Sequence, residues 1–304
     1  MNRGAPPASA LTWACAALGA RTWREIEPAS GSSGAGVWLL RTAAPEQTAV
    51  LKLSAQAGKG FDERLIGREA TVLEALAPFG LPAPRLLAVD GTGEHAGAPA
   101  LLMTREPGSL LASPDAVREA IPAMAEALTR CQSQAHNLIA GRRWTPWLPP
   151  EGLLVPSWST REALWSRAIR VVQRFQPPPR DAFIHRDPHP SNLLFEHGKV
   201  SAILDWAHAG RGPAGFDGAR MAMNLCCLLG MDAATAFRSA FEQALGRRHD
   251  PLLDVFAACE FLPDPAIDGS AAALGIELNR NQARGRLENF LADAMRRMTS
   301  RRLS

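Results

Sequence analysis

The order of apolar and polar residues predicts a chain that begins with strands and continues mostly with helices. Near the N-terminus a short amphipathic helix is expected, because Leu11, Cys15 and Leu18 fall on one helical face. A helical rhythm at residues 64–77 predicts one main helix among the strands. Alternating or short apolar runs bounded by turn residues predict strands at residues 22–27, 36–41, 48–53, 85–89 and 99–103.

Past residue 104 the spacing of apolar residues is that of helices. Ser113 followed by Pro114 is typical of a helix start, and that helix is predicted to continue to about Cys131. Asp217 is expected to cap a helix that runs to Leu229. The other predicted helices cover residues 160–175, 232–245, 252–261 and 278–298.

A break at Thr104-Arg-Glu-Pro-Gly108 predicts a hinge between two lobes, because Pro and Gly end the apolar strand there. We expect an N-terminal lobe of residues 1–104, built on a small antiparallel sheet. The C-terminal lobe, residues 105–304, is expected to be larger and mostly helical, which makes the fold α+β. The backbone groups expected to hydrogen-bond an adenine ring at the hinge are those of Met103, Thr104 and Glu106.

Composition narrows the class of protein. With 304 residues, of which 46% are hydrophobic, the chain can bury a sizeable core. The formal net charge of +3 is small and no dense basic block exists, so we expect no nucleic-acid partner. No apolar run reaches the roughly 18 residues that a membrane span requires, so a cytoplasmic protein without membrane contact is expected. The five cysteines lack metal-ligand spacing and are expected to be buried thiols.

The stretch His185-Arg-Asp-Pro-His-Pro-Ser-Asn192 carries the strongest chemical signal. Apolar runs flank it, and Asp205 ends the next apolar run. A strand, a polar loop, a second strand and a carboxylate are what a phosphoryl-transfer centre needs. In such a centre Asp187 orients the attacking hydroxyl, while Asn192 and Asp205 hold the Mg²⁺ that neutralises the nucleotide phosphates.

Lysine is scarce, which makes Lys52 informative. Only Lys52, Lys59 and Lys199 are lysines among the 33 Lys and Arg residues, and Lys52 lies in an otherwise apolar strand. A buried lysine needs an anionic partner, whereas a lysine on an edge strand would reach solvent instead. A glutamate from the helix at 64–77 would hold it against nucleotide phosphates. Glu69 is the favoured partner, and Glu74 is the competing candidate.

A segment rich in glycine and serine joins the first two predicted strands. Its glycines allow backbone N–H groups to approach phosphates, although a plain flexible hairpin has the same composition. The order of the glycines differs from both the protein-kinase glycine loop and the P-loop. The glycines assigned to a nucleotide site are Gly31, Gly34 and Gly36.

The motifs, in this order, resemble those of the aminoglycoside phosphotransferase (APH) family, within the protein-kinase-like superfamily. His185 to Asn192 is similar to the family's H-x-D-x-H-P-x-N loop, and Ile203-Leu-Asp-Trp206 is similar to its metal segment. Residues 211–217 resemble its G-x-P-x-x-D segment. The resemblance implies a bilobal protein-kinase-like fold and a phosphotransferase that uses ATP or GTP together with Mg²⁺.

The resemblance also implies a role for each matching residue. Lys52 would contact the α- and β-phosphates and Glu69 would position it, while Asp187 would act on the acceptor hydroxyl. The residues implied as supports of the loop are His185, Arg186 and Asp217. Two positions depart from the family pattern, because Arg186 and Ser191 stand where small residues, mostly glycine, are usual.

The acceptor implied by the resemblance is a small molecule with a hydroxyl, and aminoglycoside or macrolide antibiotics are candidates. The alternatives are a housekeeping kinase of choline, a sugar or an amino alcohol, and a nucleotide-binding pseudoenzyme. An excess of carboxylates at residues 250–294 would suit a cationic acceptor, although solvated helix faces explain it equally well. The Trp-rich loop at 144–158 would suit a flatter acceptor. A monomer or a homodimer is expected.

Overall fold

An antiparallel sheet forms the N-terminal part of the structure, a computed structural model that describes residues 5–29, 36–54, 64–135, 137–138, 140–174, 181–265 and 267–301. Its strands are β1 (Trp23–Pro28), β2 (Gly36–Thr42), β3 (Thr48–Leu53), β4 (Leu86–Asp90) and β5 (Ala100–Thr104). They pair in the order β1-β2-β3-β5-β4. Each strand lies within one residue of its predicted bounds, so the predicted sheet is confirmed.

The two faces of this sheet pack against different helices, α1 (Ala8–Ala17) and α2 (Arg64–Leu76). Side chains alternate between the faces of a strand. In β3, Ala49 and Leu51 join Ala10 and Ala14 of α1 in one apolar cluster. Lys52 therefore points to the opposite face, where α2 lies. The alternation of side chains along β3 therefore places the lysine of this sheet against α2.

Helices make up most of the chain after β5. They are α3 (Pro114–Glu119), α4 (Ile121–Gln134), α5 (Glu162–Gln173), α6 (Phe216–Leu229), α7 (Met231–Leu245), α8 (Pro251–Cys259), α9 (Asp268–Ala273) and α10 (Arg280–Arg301). Ser113 caps α3 by accepting from the N–H of Ala116. The expected single helix from Ser113 to Cys131 is wrong, because it ends at Ala120 and restarts with proline in the first turn of α4.

Five short strands surround the segment that the sequence marks as the chemical centre. They are β6 (Arg142–Arg143), β7 (Asp181–Ile184), β8 (Leu193–Glu196), β9 (Lys199–Ile203) and β10 (Gly210–Pro213). Strand β10 lies between β6 and β7, and β8 pairs with β9. The β8–β9 turn has positive φ at His197 and Gly198, as a two-residue hairpin requires.

The larger apolar core lies around α6, in which every residue is buried. Ile66 and Leu73 of α2 belong to the same core as the C-terminal helices. Helix α2 therefore packs against the sheet on one side and the C-terminal helices on the other. The lobe boundary after residue 104 stays a prediction. All five cysteines are free thiols, and only Cys15 is half-exposed rather than buried. Within the described part of the chain, no helix is both long and apolar enough to cross a bilayer.

A buried carboxylate, Asp254, ties three C-terminal helices together. It accepts from His249 Nε2 at 2.7 Å and from Arg238 Nη1 at 3.3 Å, and it also pairs with Arg297. Asp254 is fully buried in α8, whereas Arg238 lies in α7 and Arg297 in α10. Burial alone would raise the pKa of Asp254, but the charges of these three partners more than offset it and lower the pKa below its usual range.

We expect Asp254→Ala to destabilise the fold by about 3 kcal/mol, because it removes a buried carboxylate shared by His249, Arg238 and Arg297. Among the described residues, the two arginines then keep only the Asp293 carboxylate as an ion-pair partner. The matched control is Asp232→Ala, whose exposed pair with Arg118 is worth about 1 kcal/mol or less. Urea denaturation midpoints measure both. Since the folded-state pKa of Asp254 is lowered, its contribution to stability is present above the unfolded pKa of about 4. It is lost as pH falls through the folded value, so the gap between wild type and variant closes only in acid.

Candidate active site

Lys52 is the point at which three distant stretches of the chain meet. Its Nζ donates to Glu69 Oε2 at 2.6 Å and to Asp205 Oδ1 at 2.8 Å. Lys52 and Glu69 are buried, whereas Glu74 on the same helix is exposed. The structure therefore pairs Lys52 with Glu69 and leaves Glu74 out of the site.

The charges of Lys52 and Asp205 keep each other ionised. For Glu69, burial raises the pKa, Lys52 acts against this rise, and the Asp205 carboxylate adds to it. Burial alone would lower the pKa of Lys52, but Glu69 and Asp205 outweigh it and raise that pKa above its usual value. Burial alone would raise the pKa of Asp205, but the Lys52 ammonium outweighs burial and lowers that pKa to about 2. The other oxygen of Glu69 accepts from the N–H of Trp206 at 3.2 Å. One glutamate thus fixes both the lysine and the chain just after Asp205.

Asp217 holds the backbone of the loop between β7 and β8. Its two carboxylate oxygens accept from the N–H groups of His185 at 2.7 Å and Arg186 at 2.8 Å. The expectation that Asp217 caps α6 is wrong: Gly215, with φ of 99°, is the N-cap and the helix begins at Phe216. Asp217 lies in the first turn with its side chain directed to the loop, as the resemblance implied.

His185 fastens the same loop to the segment that carries Asp205. Its Nε2 donates to the carbonyl of Leu204 at 2.9 Å, and its ring lies 4.6 Å from the ring of Trp206. Arg186 and Asp205 both have positive φ, 76° and 63°. Aspartate tolerates this conformation, but for arginine it costs on the order of 1 kcal/mol. The loop is therefore held in place against local strain.

Asp187 stands beyond this anchored turn and forms an ion pair with Arg220. Arg220 Nη2, from α6, donates to Asp187 Oδ1 at 3.3 Å. Burial alone would raise the pKa of Asp187, but Arg220 and then His189 outweigh it, and the pKa falls below its usual range. Asp187 is therefore a carboxylate at neutral pH, suited to accept a hydrogen bond from a hydroxyl. Its weak basicity favours orienting that hydroxyl over removing its proton early.

Asn192 and Asp205 supply the oxygen atoms that a magnesium ion prefers. Asn192 Nδ2 donates to the backbone carbonyl of Asp187 at 3.2 Å, so its amide oxygen is the atom left for a ligand. Only Oδ1 of Asp205 is used by Lys52, and the Asp205 side chain is 42% exposed. The described residues contain no cluster of three or more His, Cys, Asp or Glu fit for a metal. Two hard oxygen ligands suit Mg²⁺, which keeps waters and phosphates as further ligands.

The hinge residues lie at the end of β5 but differ in accessibility. Met103 is buried and pairs with both Val50 and Leu86 in the sheet. The Thr104 hydroxyl accepts from the N–H of Arg85 at 2.8 Å and contacts the Glu106 carboxylate. Glu106 is half-buried. Their assignment to an adenine site stays a prediction.

Of the three glycines assigned to a phosphate loop, Gly31 and Gly34 lie outside the described residues. Gly36 is the first residue of β2. A Cβ added there would come within 2.1 Å of the Trp38 ring. Packing of Trp38 is therefore a sufficient reason for glycine at position 36, and the proposed contact with phosphates is still a prediction.

Sequence reasoning missed a buried arginine pair next to Asp187. Glu260 is buried between Arg186 Nη2 at 3.7 Å and Arg220 Nη1 at 3.8 Å. The ring of Trp147 lies over both guanidinium groups, 5.3 Å from Arg186 Cζ and 5.4 Å from Arg220 Cζ. The available signal was an arginine within the apolar helix α6, because a charge there needs a buried partner.

The carboxylates at residues 250–294 mostly have partners within the protein. Asp254 is fully buried, and Glu260 lies under the two arginines. Asp264 pairs with Arg284 at 2.8 Å. The acidic excess of residues 250–294 is therefore largely neutralised by arginine.

The histidines of the site also have packing roles. His189 Nδ1 lies 2.8 Å from Ser191 Oγ, and the ring of His208 lies 4.9 Å from the Trp147 ring.

Solved structures share this fold at low sequence identity. A thermostable mutant of aminoglycoside phosphotransferase APH(4)-Ia, in complex with ADP and hygromycin B, aligns with TM-score 0.63 and 15% identity over 92% of this chain and 97% of that one. Macrolide 2'-phosphotransferase MphH from Brachybacterium faecium gives 0.51 and 16%, over 92% and 98%. Plasmodium vivax ethanolamine kinase gives 0.56 and 10%, over 88% and 82%.

These matches confirm the predicted bilobal, protein-kinase-like α+β fold. At sequence level, no curated protein matches the chain significantly. The model of the APH phosphotransferase enzyme family, in contrast, matches residues 25–275, which is most of the chain and includes every described site residue named above. The chain therefore belongs to the APH phosphotransferase enzyme family, as its motifs predicted.

Proposed function

We propose that this chain transfers the γ-phosphoryl group of ATP or GTP, with Mg²⁺, to a hydroxyl of a small molecule. Family membership makes it a small-molecule phosphotransferase, and the nucleotide, the metal and the acceptor are the proposed parts. The observation that carries the proposal is the double ion pair of Lys52 with Glu69 and Asp205. This pair fixes a cation beside Asp205, where nucleotide phosphates need one.

Each side chain has a distinct task in this proposal. Lys52 binds the α- and β-phosphates, and Glu69 keeps it in position. Asn192 and Asp205 hold Mg²⁺, which when bound neutralises charge on the phosphates. The nucleotide-site assignments made from the sequence are kept in the proposal: Gly31, Gly34 and Gly36 for the phosphates, and the backbone of Met103, Thr104 and Glu106 for the base.

Asp187 accepts the hydrogen bond of the acceptor hydroxyl and orients its oxygen toward the phosphate. Arg220 keeps Asp187 ionised, so the hydroxyl proton moves to the carboxylate only as the oxygen–phosphorus bond forms. The rigid loop supports this role, since misplacement of a reacting group by about 1 Å costs roughly 10²-fold in rate.

The structural neighbours act on different acceptors, namely aminoglycosides, macrolides and ethanolamine by their names. An antibiotic acceptor and a housekeeping metabolite are therefore both compatible with the fold. The pseudoenzyme alternative is disfavoured, because Lys52, Asp187, Asn192 and Asp205 are all present and adjacent in the site. A cytoplasmic location, a monomeric or homodimeric state, and the absence of membrane or nucleic-acid partners stay predictions.

Asp187→Asn should lower kcat by roughly 10²–10⁴-fold, because the amide cannot accept the hydroxyl proton. Nucleotide affinity should change little, since Lys52, Asn192 and Asp205 are retained. Turnover is measured as phosphate transfer or as slow nucleotide hydrolysis, and affinity by titration with Mg-ADP. Wild-type turnover in a folded Asp187→Asn protein would contradict the assigned role.

Glu69→Gln should reduce kcat/KM for the nucleotide at least about tenfold, because a buried charged hydrogen bond is worth roughly 1.5–3 kcal/mol. The matched control is Glu74→Gln, the same change on the exposed side of α2, which should leave kcat/KM unchanged. Steady-state kinetics against nucleotide concentration measure both variants. Equal effects of the two substitutions would refute the positioning role of Glu69.

A further inference from the structure

A cavity of about 260 Å³ opens next to the loop that carries Asp187. No carboxylate lines it among the described residues, and its chemistry comes from arginine, tryptophan and histidine. The lining side chains that matter are Arg142, Arg143, Trp144, Trp147, Arg186 and His208.

The cavity lies beside the proposed reaction centre. Arg186 immediately precedes Asp187, and His208 stands three residues after Asp205. Burial lowers the pKa of His208, while the carboxylates of Asp187 and then Asp205 act on it in the opposite direction. The ring of Trp147, which lines the cavity, lies 5.4 Å from Arg220 Cζ, and Arg220 Nη2 lies 3.3 Å from Asp187 Oδ1. The cavity is therefore close enough to Asp187 for a bound molecule to present a hydroxyl to it.

Arg186 is packed against Glu260 and the rings of Trp144 and Trp147, but its hydrogen bonds are incomplete. It is buried, its Nη1 has no hydrogen-bond partner among the described residues, and its ion pair with Glu260 is long, at 3.7 Å. Glu260 also forms an ion pair with Arg220. Burial, with Arg220 and Arg142 as further unfavourable neighbours, lowers the pKa of Arg186 to about 10 despite the favourable Glu260. An anion bound in the cavity would supply further negative charge beside this guanidinium.

The backbone at Arg186 adds an independent observation. Its φ of 76° is a conformation that glycine adopts freely and arginine does not. Strain of this kind persists where the side chain is needed, which makes it a pointer to function rather than to packing.

Arg142 is a further cation of the cavity. It is exposed on β6 and forms no ion pair with any described residue, whereas Arg143 pairs with Asp181 at 3.1 Å. Gly210 of β10 allows β6 to lie unusually close, since a Cβ at 210 would stand 1.8 Å from the Arg142 carbonyl oxygen. The close approach of these strands fixes Arg142 at the cavity wall.

We propose that this cavity binds the phosphoryl acceptor, and that the acceptor carries a carboxylate or phosphate group held by Arg142 and Arg186. The inference rests on the proposed function and adds the charge of its substrate. Arginine binds such anions through paired N–H groups. The exposed ring of Trp147, stacked over Arg186, forms an apolar wall for the rest of the molecule. Polycationic acceptors would meet arginines here in place of carboxylates.

Four six-carbon probes that differ mainly in charge test this proposal: gluconate, glucose 6-phosphate, glucose and glucosamine. Their affinities for the full chain saturated with Mg-ADP are measured by calorimetry, so that the nucleotide site is occupied. Gluconate or glucose 6-phosphate, or both, should bind at least about tenfold more tightly than glucose and glucosamine, the scale of a charge-assisted hydrogen bond. Comparing the two anions shows whether carboxylate or phosphate is preferred.

Arg142→Gln should remove most of that preference. The matched control is Arg170→Gln, an exposed arginine on α5 away from the cavity, which should keep it. Equal binding of the four probes, tighter binding of glucosamine, or an unchanged preference in Arg142→Gln would overturn the inference. If unmodified protein neither bound nor turned over Mg-nucleotide, the proposed function would fail instead. The same probes, measured without ADP, would still decide the charge that the cavity selects.

Discussion

The withdrawal of one ammonium group from water is the constraint on which this site depends. Lys52 Nζ is buried on the α2 face of the sheet, where an unpaired charge would cost several kcal/mol. Glu69 from α2 and Asp205 from the segment after β9 compensate it, at 2.6 and 2.8 Å. Because these residues come from three separate elements, satisfying the lysine also sets how the sheet, α2 and the reaction loop lie together.

Hydrogen bonds formed by two buried side chains hold the loop that carries Asp187. The Asp217 carboxylate fixes two successive backbone N–H groups, and the His185 ring ties the loop to Leu204. These contacts hold Arg186 in a conformation that arginine avoids when free. The geometry of Asp187 therefore follows from hydrogen bonds formed by residues that do not themselves react. The same anchoring directs the Arg186 side chain into the neighbouring cavity.

Much of this architecture could be predicted from the sequence, because strong local patterns carry it. The strands follow from alternation, and the choice of Glu69 over Glu74 follows from position in α2. The break after Ala120 and the true cap of α6 were missed, since both depend on details of one turn. The partnership of Arg220 with Asp187 and Glu260 was not predictable, because tertiary packing alone brings these residues together.

Asn192 and Asp205 are proposed to form a metal site that operates together with bound nucleotide. Mn²⁺ serves as a spectroscopic substitute for Mg²⁺: free Mn²⁺ is followed by electron paramagnetic resonance during titration with AMP-PNP and protein. We expect a nucleotide-dependent Mn²⁺ site in the wild-type protein, and Asn192→Ala should weaken it at least about tenfold while the fold is retained. Mn²⁺ binding of unchanged strength in a folded Asn192→Ala protein would contradict it.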